Sequence, residues 1–334
     1  YTGERMYELK RYRTVRNFLD SISPINEKFA SPFREYIFRG QGNSNWRLIP
    51  SIFRPNTKIP HGTTIQRGPK ASLGEQRKME WELLSDFVIE ANSNGFHLPD
   101  ENTIYKILDK RFSDKEVTKI LRHETVWPDS QYLSLLSLAQ HYGLPTRLLD
   151  WSYSSYVAAY FAAKQCIADI ESGIKVKSLS VYALNAKWTE FKSVTEIPDV
   201  QEEIYKNQKR TIEFQVVKPP TYFNAHLKAQ KGVFTCQHEF GNIKHLANID
   251  VCLKEFVLLI QQSEQEELQR NNFLRSISNV ISSVNGTVLY EFRLPATKAS
   301  ELLLCLDKLG VNSSTLFPSL GGCVETLFDR TKVY

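Results

Sequence analysis

The stretch from Ser154 to Ala168 constrains the fold more than any other. Tyr156, Val157, Ala158, Ala159, Tyr160, Phe161, Ala162 and Ala163 are apolar nearly all round the turn of a helix. A helix without a polar face needs cover from other elements on every side. It is too short to span a bilayer, so that cover must be protein. Ser154 or Ser155 is a ready N-cap for it. The chain has 334 residues, 42% apolar and 24% charged, so it can build the core such a helix requires.

Around this helix the sequence alternates strands and helices without a steady rhythm. Helical spacing runs over 14–29, with Pro24 as a break, and over 72–91, where Met79, Leu83, Leu84 and Phe87 share a face opposite many Glu and Arg. Shorter helices are predicted near 104–112 and 114–121. A further helix over 131–141 is stopped by Gly143-Leu144-Pro145. Strands are predicted over 36–38, 179–184, 213–217, 232–235 and 288–294. Residues 41–45 read as a polar turn, with extended structure resuming over 46–49. Residues 146–151 read as a short connection or strand, and 54–70 as a loop. An amphipathic helix follows over 299–309. The order favours an α+β fold with a mixed or antiparallel sheet core and surrounding helices. Residues 1–30 are expected to be a helical extension. Insertions are expected near 92–129 and 261–285, and a tail over 326–334.

The net charge of +5 tolerates an anionic ligand without calling for nucleic acid. The five cysteines (Cys166, Cys236, Cys252, Cys305, Cys323) form no CxxC pair and fit a reducing compartment. No apolar run approaches bilayer length, and the opening residues lack a secretory apolar stretch, so the expected location is cytoplasmic, with no membrane partner. Phosphate-loop, dinucleotide-fingerprint, zinc-protease and nucleophile-elbow motifs are absent, and no His or Cys falls at a zinc spacing. Cys236 and His238 share a strand face without the geometry of a nucleophile and its base.

Three polar clusters remain. Arg39-Gly40-Gln41 leaves an apolar strand. An Arg so placed either forks onto a carboxylate or phosphate or pairs with an interior acid, and the Gly allows close approach. The second cluster runs from Gln140 and His141 through Thr146, Arg147 and Asp150 to Ser152. It holds more polar groups than turns and caps need, just before a helix N-terminus that attracts anions. Its bland reading is a buried Arg147–Asp150 pair. The third is Gln230-Lys231-Gly232-Val233-Phe234-Thr235, followed by Gln237, His238 and Glu239.

In this order the clusters resemble the FRG-domain family, named for its Phe/Tyr-Arg-Gly motif. The matching stretches are 36–41, 138–152 running on to 162, 230–235, and more weakly 314–320, so the family domain is expected over 31–325. The motif order is also similar to that of ADP-ribosyltransferases: an Arg-Gly at a strand end, a Ser before a helix, then a late-strand Gln or Glu. That resemblance implies an ADP-ribosyltransferase-like sheet core and NAD as substrate. Catalytic roles fall on Arg39, Ser152, Gln230 and Glu239. Binding roles fall on Arg39, Gly40, Gln41, Gln140, His141, Thr146, Arg147, Asp150 and Ser152. Arg39 would grip the NAD phosphates or ribose, Ser152 would support the nicotinamide side, and the late residue would polarise a ribose hydroxyl or activate the acceptor. Gln230 stands at the family position for that last residue, Glu239 lies further on, and His226 stands where an Arg is common. The implied function is an NAD-dependent transferase, a toxin or phage-defence effector, acting on a protein or nucleic-acid acceptor. The alternatives are a nucleotide or nucleic-acid binding module and a hydrolase of NAD or another nucleotide.

Overall fold

The structure, a computed structural model, describes residues 6–30, 34–54, 57–60, 73–121, 126–191, 195–198, 209–219, 225–240, 252–258, 261 and 287–331. In chain order these residues form β1 (Tyr7–Arg11), α1 (Val15–Ile22), β2 (Tyr36–Gln41), α2 (Leu73–Ser93), α3 (Glu101–Leu108), α4 (Lys110–Leu121), α5 (Leu133–His141), β3 (Leu148–Ser152) and α6 (Ser155–Glu171). Then come β4 (Ser178–Asn185), α7 (Ala186–Phe191), β5 (Thr195–Pro198), β6 (Lys209–Val217), α8 (Ala225–Ala229), β7 (Gly232–Phe240) and β8 (Leu289–Pro295). The chain closes with α9 (Ala299–Lys308), α10 (Ser313–Leu316) and α11 (Leu320–Thr331).

The apolar helix is α6. Its N-cap is Ser154, whose hydroxyl accepts the Val157 amide. Ala158, Ala159, Ala162 and Ala163 are all buried, packed among Phe18 of α1, Phe38 of β2, Phe292 of β8 and Leu302 of α9. The small side chains let the backbone of α6 come very close to β2. A Cβ built on Gly40 would lie 1.9 Å from the Ala158 carbonyl oxygen and 2.8 Å from the Ala162 nitrogen. Gly40 therefore serves helix–strand approach, where the sequence suggested room for a ligand.

Among the described residues the sheet has eight strands in the order β1-β8-β4-β2-β3-β7-β6-β5. β1 pairs with β8 in parallel, and the other neighbours run antiparallel. The fold is thus α+β with a mixed sheet, as expected. Its centre is unusual. β2 and β3 share one pair of residues, Phe38 with Ser152, and then diverge. The sheet is two four-stranded halves joined at a seam, β1-β8-β4-β2 on one side and β3-β7-β6-β5 on the other.

Several expectations about the ends and insertions change. Residues 7–11 are not part of a helical extension but the strand that pairs with β8, and α1 ends at Ile22, before Pro24. Residues 326–331 are not a tail: they lie in α11, where Asp329 accepts hydrogen bonds from Lys164, Ser313 and Tyr160. The stretch 92–129 supplies α3 and α4. Ile107, Ile120 and Trp127 join a core with Trp81 and Leu84 of α2 beside the β3–β7 half, so this stretch is part of the packing. Residues 46–49 form no strand. Of the expected insertion 261–285, all but Gln261 lies outside the described residues. Among the described residues no helix is long and apolar enough to cross a membrane.

Candidate functional site

The seam opens a cavity of about 790 Å³. Divergence of β2 from β3 leaves sheet positions that no ladder fills, and the side chain of Arg39 reaches across the gap. Its NH1 donates to the main-chain oxygen of Asp150 at 2.7 Å and lies 3.6 Å from Asp150 Oδ2. Its Nε is buried without a hydrogen-bond partner, as is Oε1 of Gln41 two residues on. Nε2 of Gln41 donates to the Arg47 carbonyl at 3.3 Å.

The structure brings Arg39, Gly40, Gln41, His141, Asp150, Ser152 and Gln230 to the wall of this one cavity. Gln140 stands behind it. Its Nε2 donates to Asp150 Oδ1 at 2.7 Å, and its Oε1 accepts the Thr146 hydroxyl. Ser152 ties the cavity floor together: its hydroxyl donates to the Gln230 carbonyl at 2.7 Å and accepts the Ser154 amide at 2.9 Å. Gln230 Nε2 donates to the Leu316 carbonyl at 3.3 Å. Phe317, in the weak fourth stretch, meets both Phe161 and His226 edge-on, so the chain's late motif backs the cavity.

Two of the expected residues lie elsewhere. Arg147 is fully buried and does not line the cavity. Its Nε and NH2 fork onto the two oxygens of Glu80 at 2.5 and 2.7 Å, and its NH1 donates to the Gln237 carbonyl at 3.1 Å. The expected alternative, a pair with Asp150, is not formed: side chains alternate along extended chain, so positions 147 and 150, an odd number of residues apart, face different neighbours. Glu239 is seven residues along β7 from Gly232, paired with Ile212 of β6. At ~3.3 Å per residue its backbone lies ~23 Å along the strand from the seam.

The cavity also holds residues that sequence reasoning passed over, namely Trp46, Arg47 and Arg54. Their signal was available: residues 39–54 contain three arginines and no acid. Arg47 pairs with exposed Glu255 at the rim. Among the described residues lining the cavity, Arg54 and Arg39 share it with a single carboxylate, Asp150. Burial pulls the Arg39 guanidinium down to about 10, opposed by Asp150, while nearby Arg54 depresses it further. Burial also lowers Arg54, again against Asp150. Both remain protonated at neutral pH. Burial lowers His141 below its usual value, His226 adds to this, and Asp150 opposes it, leaving a neutral imidazole at pH 7.

Residues 34–169 match the family model for the FRG domain. Over this span the chain is similar to the FRG domain. The FRG match covers the first two motif stretches, hence Arg39 and the Gln140–Ser152 connection, and ends within α6. The stretches at 230–235 and 314–320, which complete the FRG cavity, lie beyond it. No curated protein and no solved structure matches the chain.

Behind the FRG site, His238 donates or accepts through Nε2 to Gln215 Oε1 at 2.9 Å. Burial, helped by the Arg147 guanidinium, pushes it down to about 4. The unfolded chain therefore binds a proton that the folded chain refuses between about pH 6.5 and 4, and stability falls as pH drops through that window. The loss from this residue approaches ~3 kcal/mol at the low end. Urea unfolding at pH 7 and pH 4.5 should show it, and His238→Gln should flatten the difference. An equal loss in that variant would remove His238 as its source.

Proposed function

We propose that this chain is an NAD-dependent ADP-ribosyltransferase-like enzyme. The observation that carries the reading is that the three parts of the resembling motif order line one cavity. Arg39 sits at its strand, Ser152 before α6, and Gln230 before β7. The cavity's size lies in the range of small-molecule and cofactor sites. The Arg39 guanidinium, with Arg54 on the same cavity wall, suits a diphosphate, which offers paired anionic oxygens to an Arg fork. The Nε of Arg39 is a buried donor without a partner. Trp46, Trp151 and Phe161 supply apolar faces for flat rings.

In this reading Arg39 and Arg54 hold the diphosphate, and the Gln230 amide hydrogen-bonds a ribose hydroxyl. Cleavage of the nicotinamide–ribose bond develops positive charge on the sugar, which positioning and electrostatics favour. The acceptor is a protein or nucleic acid. A toxin or phage-defence role in the cytoplasm is part of the proposal.

The test incubates the protein with labelled NAD and cell lysate, followed by mass spectrometry. Wild type is expected to release nicotinamide and label a macromolecule. Arg39→Ala is expected to lower kcat/KM by about 10²–10³, the scale of removing one preorganised charge-stabilising donor. Nicotinamide release without labelling would mark a hydrolase. Retention of NAD without turnover would mark a binding module.

A further inference from the structure

ADP-ribosyl transfer to a neutral nucleophile needs a group to take the acceptor's proton. The late-strand positions do not supply it. Gln230 is an amide, and the backbone of Glu239 lies far along β7 from the seam. Glu291, on the last strand, is fully buried and already bonded by Tyr7, Ser180, Lys254 and Arg293.

We propose that Asp150 is a catalytic residue of the transfer reaction, its carboxylate accepting the proton of the attacking nucleophile. The inference rests on the transferase reading given above. Among the described residues lining the cavity, Asp150 carries the only carboxylate, and its side chain is 62% exposed.

Three observations separate this role from that of a plain counter-ion for Arg39. First, the closer contact of Arg39 is with the main chain of Asp150, and the carboxylate is its looser ion-pair partner. The 2.7 Å bond runs to the peptide oxygen, while the carboxylate oxygen is 3.6 Å away. Second, the carboxylate is aimed by its own relay. The Leu148 amide donates to Thr146 Oγ1 at 3.1 Å, the Thr146 hydroxyl donates to Gln140 Oε1, and Gln140 Nε2 donates to Asp150 Oδ1 at 2.7 Å. The carboxylate fixes which end of the Gln140 amide faces it, because an ionised Asp only accepts and so takes Nε2, which leaves Oε1 to the Thr146 hydroxyl. Third, the relay engages Oδ1 and leaves Oδ2 on the side of Arg39 and the cavity. A base oriented by a third group is the usual arrangement for proton transfer.

The bond between ribose C1′ and the nicotinamide nitrogen breaks, and its electron pair neutralises the pyridinium. A lone pair of the acceptor forms the new bond to C1′, and the acceptor's proton passes to the Asp150 carboxylate and then to solvent.

The test uses the full chain. Equilibrium binding of NAD by calorimetry is measured beside turnover, for wild type, Asp150→Asn and Gln140→Leu, each with a thermal melt. Asp150→Asn keeps the peptide oxygen that holds Arg39 and removes a negative charge near the diphosphate. Its NAD Kd is expected to be unchanged or tighter, while turnover falls about 10²–10⁴-fold, the usual contribution of a positioned acid or base. Gln140→Leu is expected to lower kcat at unchanged Kd, and it decides the matter if Asp150→Asn does not fold. Undiminished turnover in the folded variants overturns the inference. So does a loss of binding that parallels the loss of turnover, which would make Asp150 a holder of Arg39. A wild type that neither binds nor consumes NAD overturns the transferase reading itself, and this inference with it.

Discussion

Glu80→Ala is expected to cost about 3–5 kcal/mol of stability, a large share of what a domain this size possesses. The reason is the partner left behind. Arg147 is fully buried and sends both arms of its fork to Glu80. Glu80 also accepts Trp127 Nε1 and Gln76 Nε2, each at 2.9 Å. Without the carboxylate a guanidinium stays in the interior with its charge uncompensated, and two further donors lose their acceptor. Urea unfolding measures the change. Replacing both partners, as Glu80→Leu with Arg147→Met, is expected to cost less than Glu80→Ala alone, because no buried charge remains. A double variant as unstable as the sum of the two single changes would show that the charge is not the cause.

Gly40→Ala is expected to be nearly as damaging, at about 3 kcal/mol or more. The added carbon meets the Ala158 carbonyl oxygen at 1.9 Å and the Ala162 nitrogen at 2.8 Å. Both are backbone atoms, so no rotamer change relieves the clash, and α6 must move off β2 or the strand must bend. Since Arg39 precedes Gly40 on the same strand, the variant should also displace the Arg39 side chain from the Asp150 carbonyl. The midpoint of urea unfolding and binding of NAD report the two effects separately. A stability change below about 1 kcal/mol would mean that the approach of helix and strand is looser than described.

Much of this was legible in the sequence. The apolar run in α6 announced a covered helix, and Ser154 announced where it begins. The polar connection between α5 and α6 signalled a site because it held more polar groups than turns require, and Gln140, His141, Asp150 and Ser152 do gather at the cavity. What was hidden depended on long-range pairing. Tyr7–Arg11 alternates too weakly to declare a strand and becomes one by adding to β8. Glu80 looked like part of the solvent face of α2, since periodicity cannot tell a solvated acid from one that meets an arginine 67 residues later. Arg147 was read with its near neighbour Asp150, whereas strand alternation sends the two in different directions. The seam itself has no local signature, because it is the absence of pairing between two strands that each pair well on their other side.

Residues 34–169 contain β2 and β3 and none of the other six strands. In the whole chain β2 zips to β4 through six residue pairs, and β3 to β7 through five. Excised, the matched span would keep the one pair between them and bare a full hydrogen-bonding edge on each, the kind of surface that recruits foreign strands and aggregates. The region that defines the family is therefore a guest in a sheet supplied by the flanking sequence. Any fragment meant to fold must carry those donor strands with it.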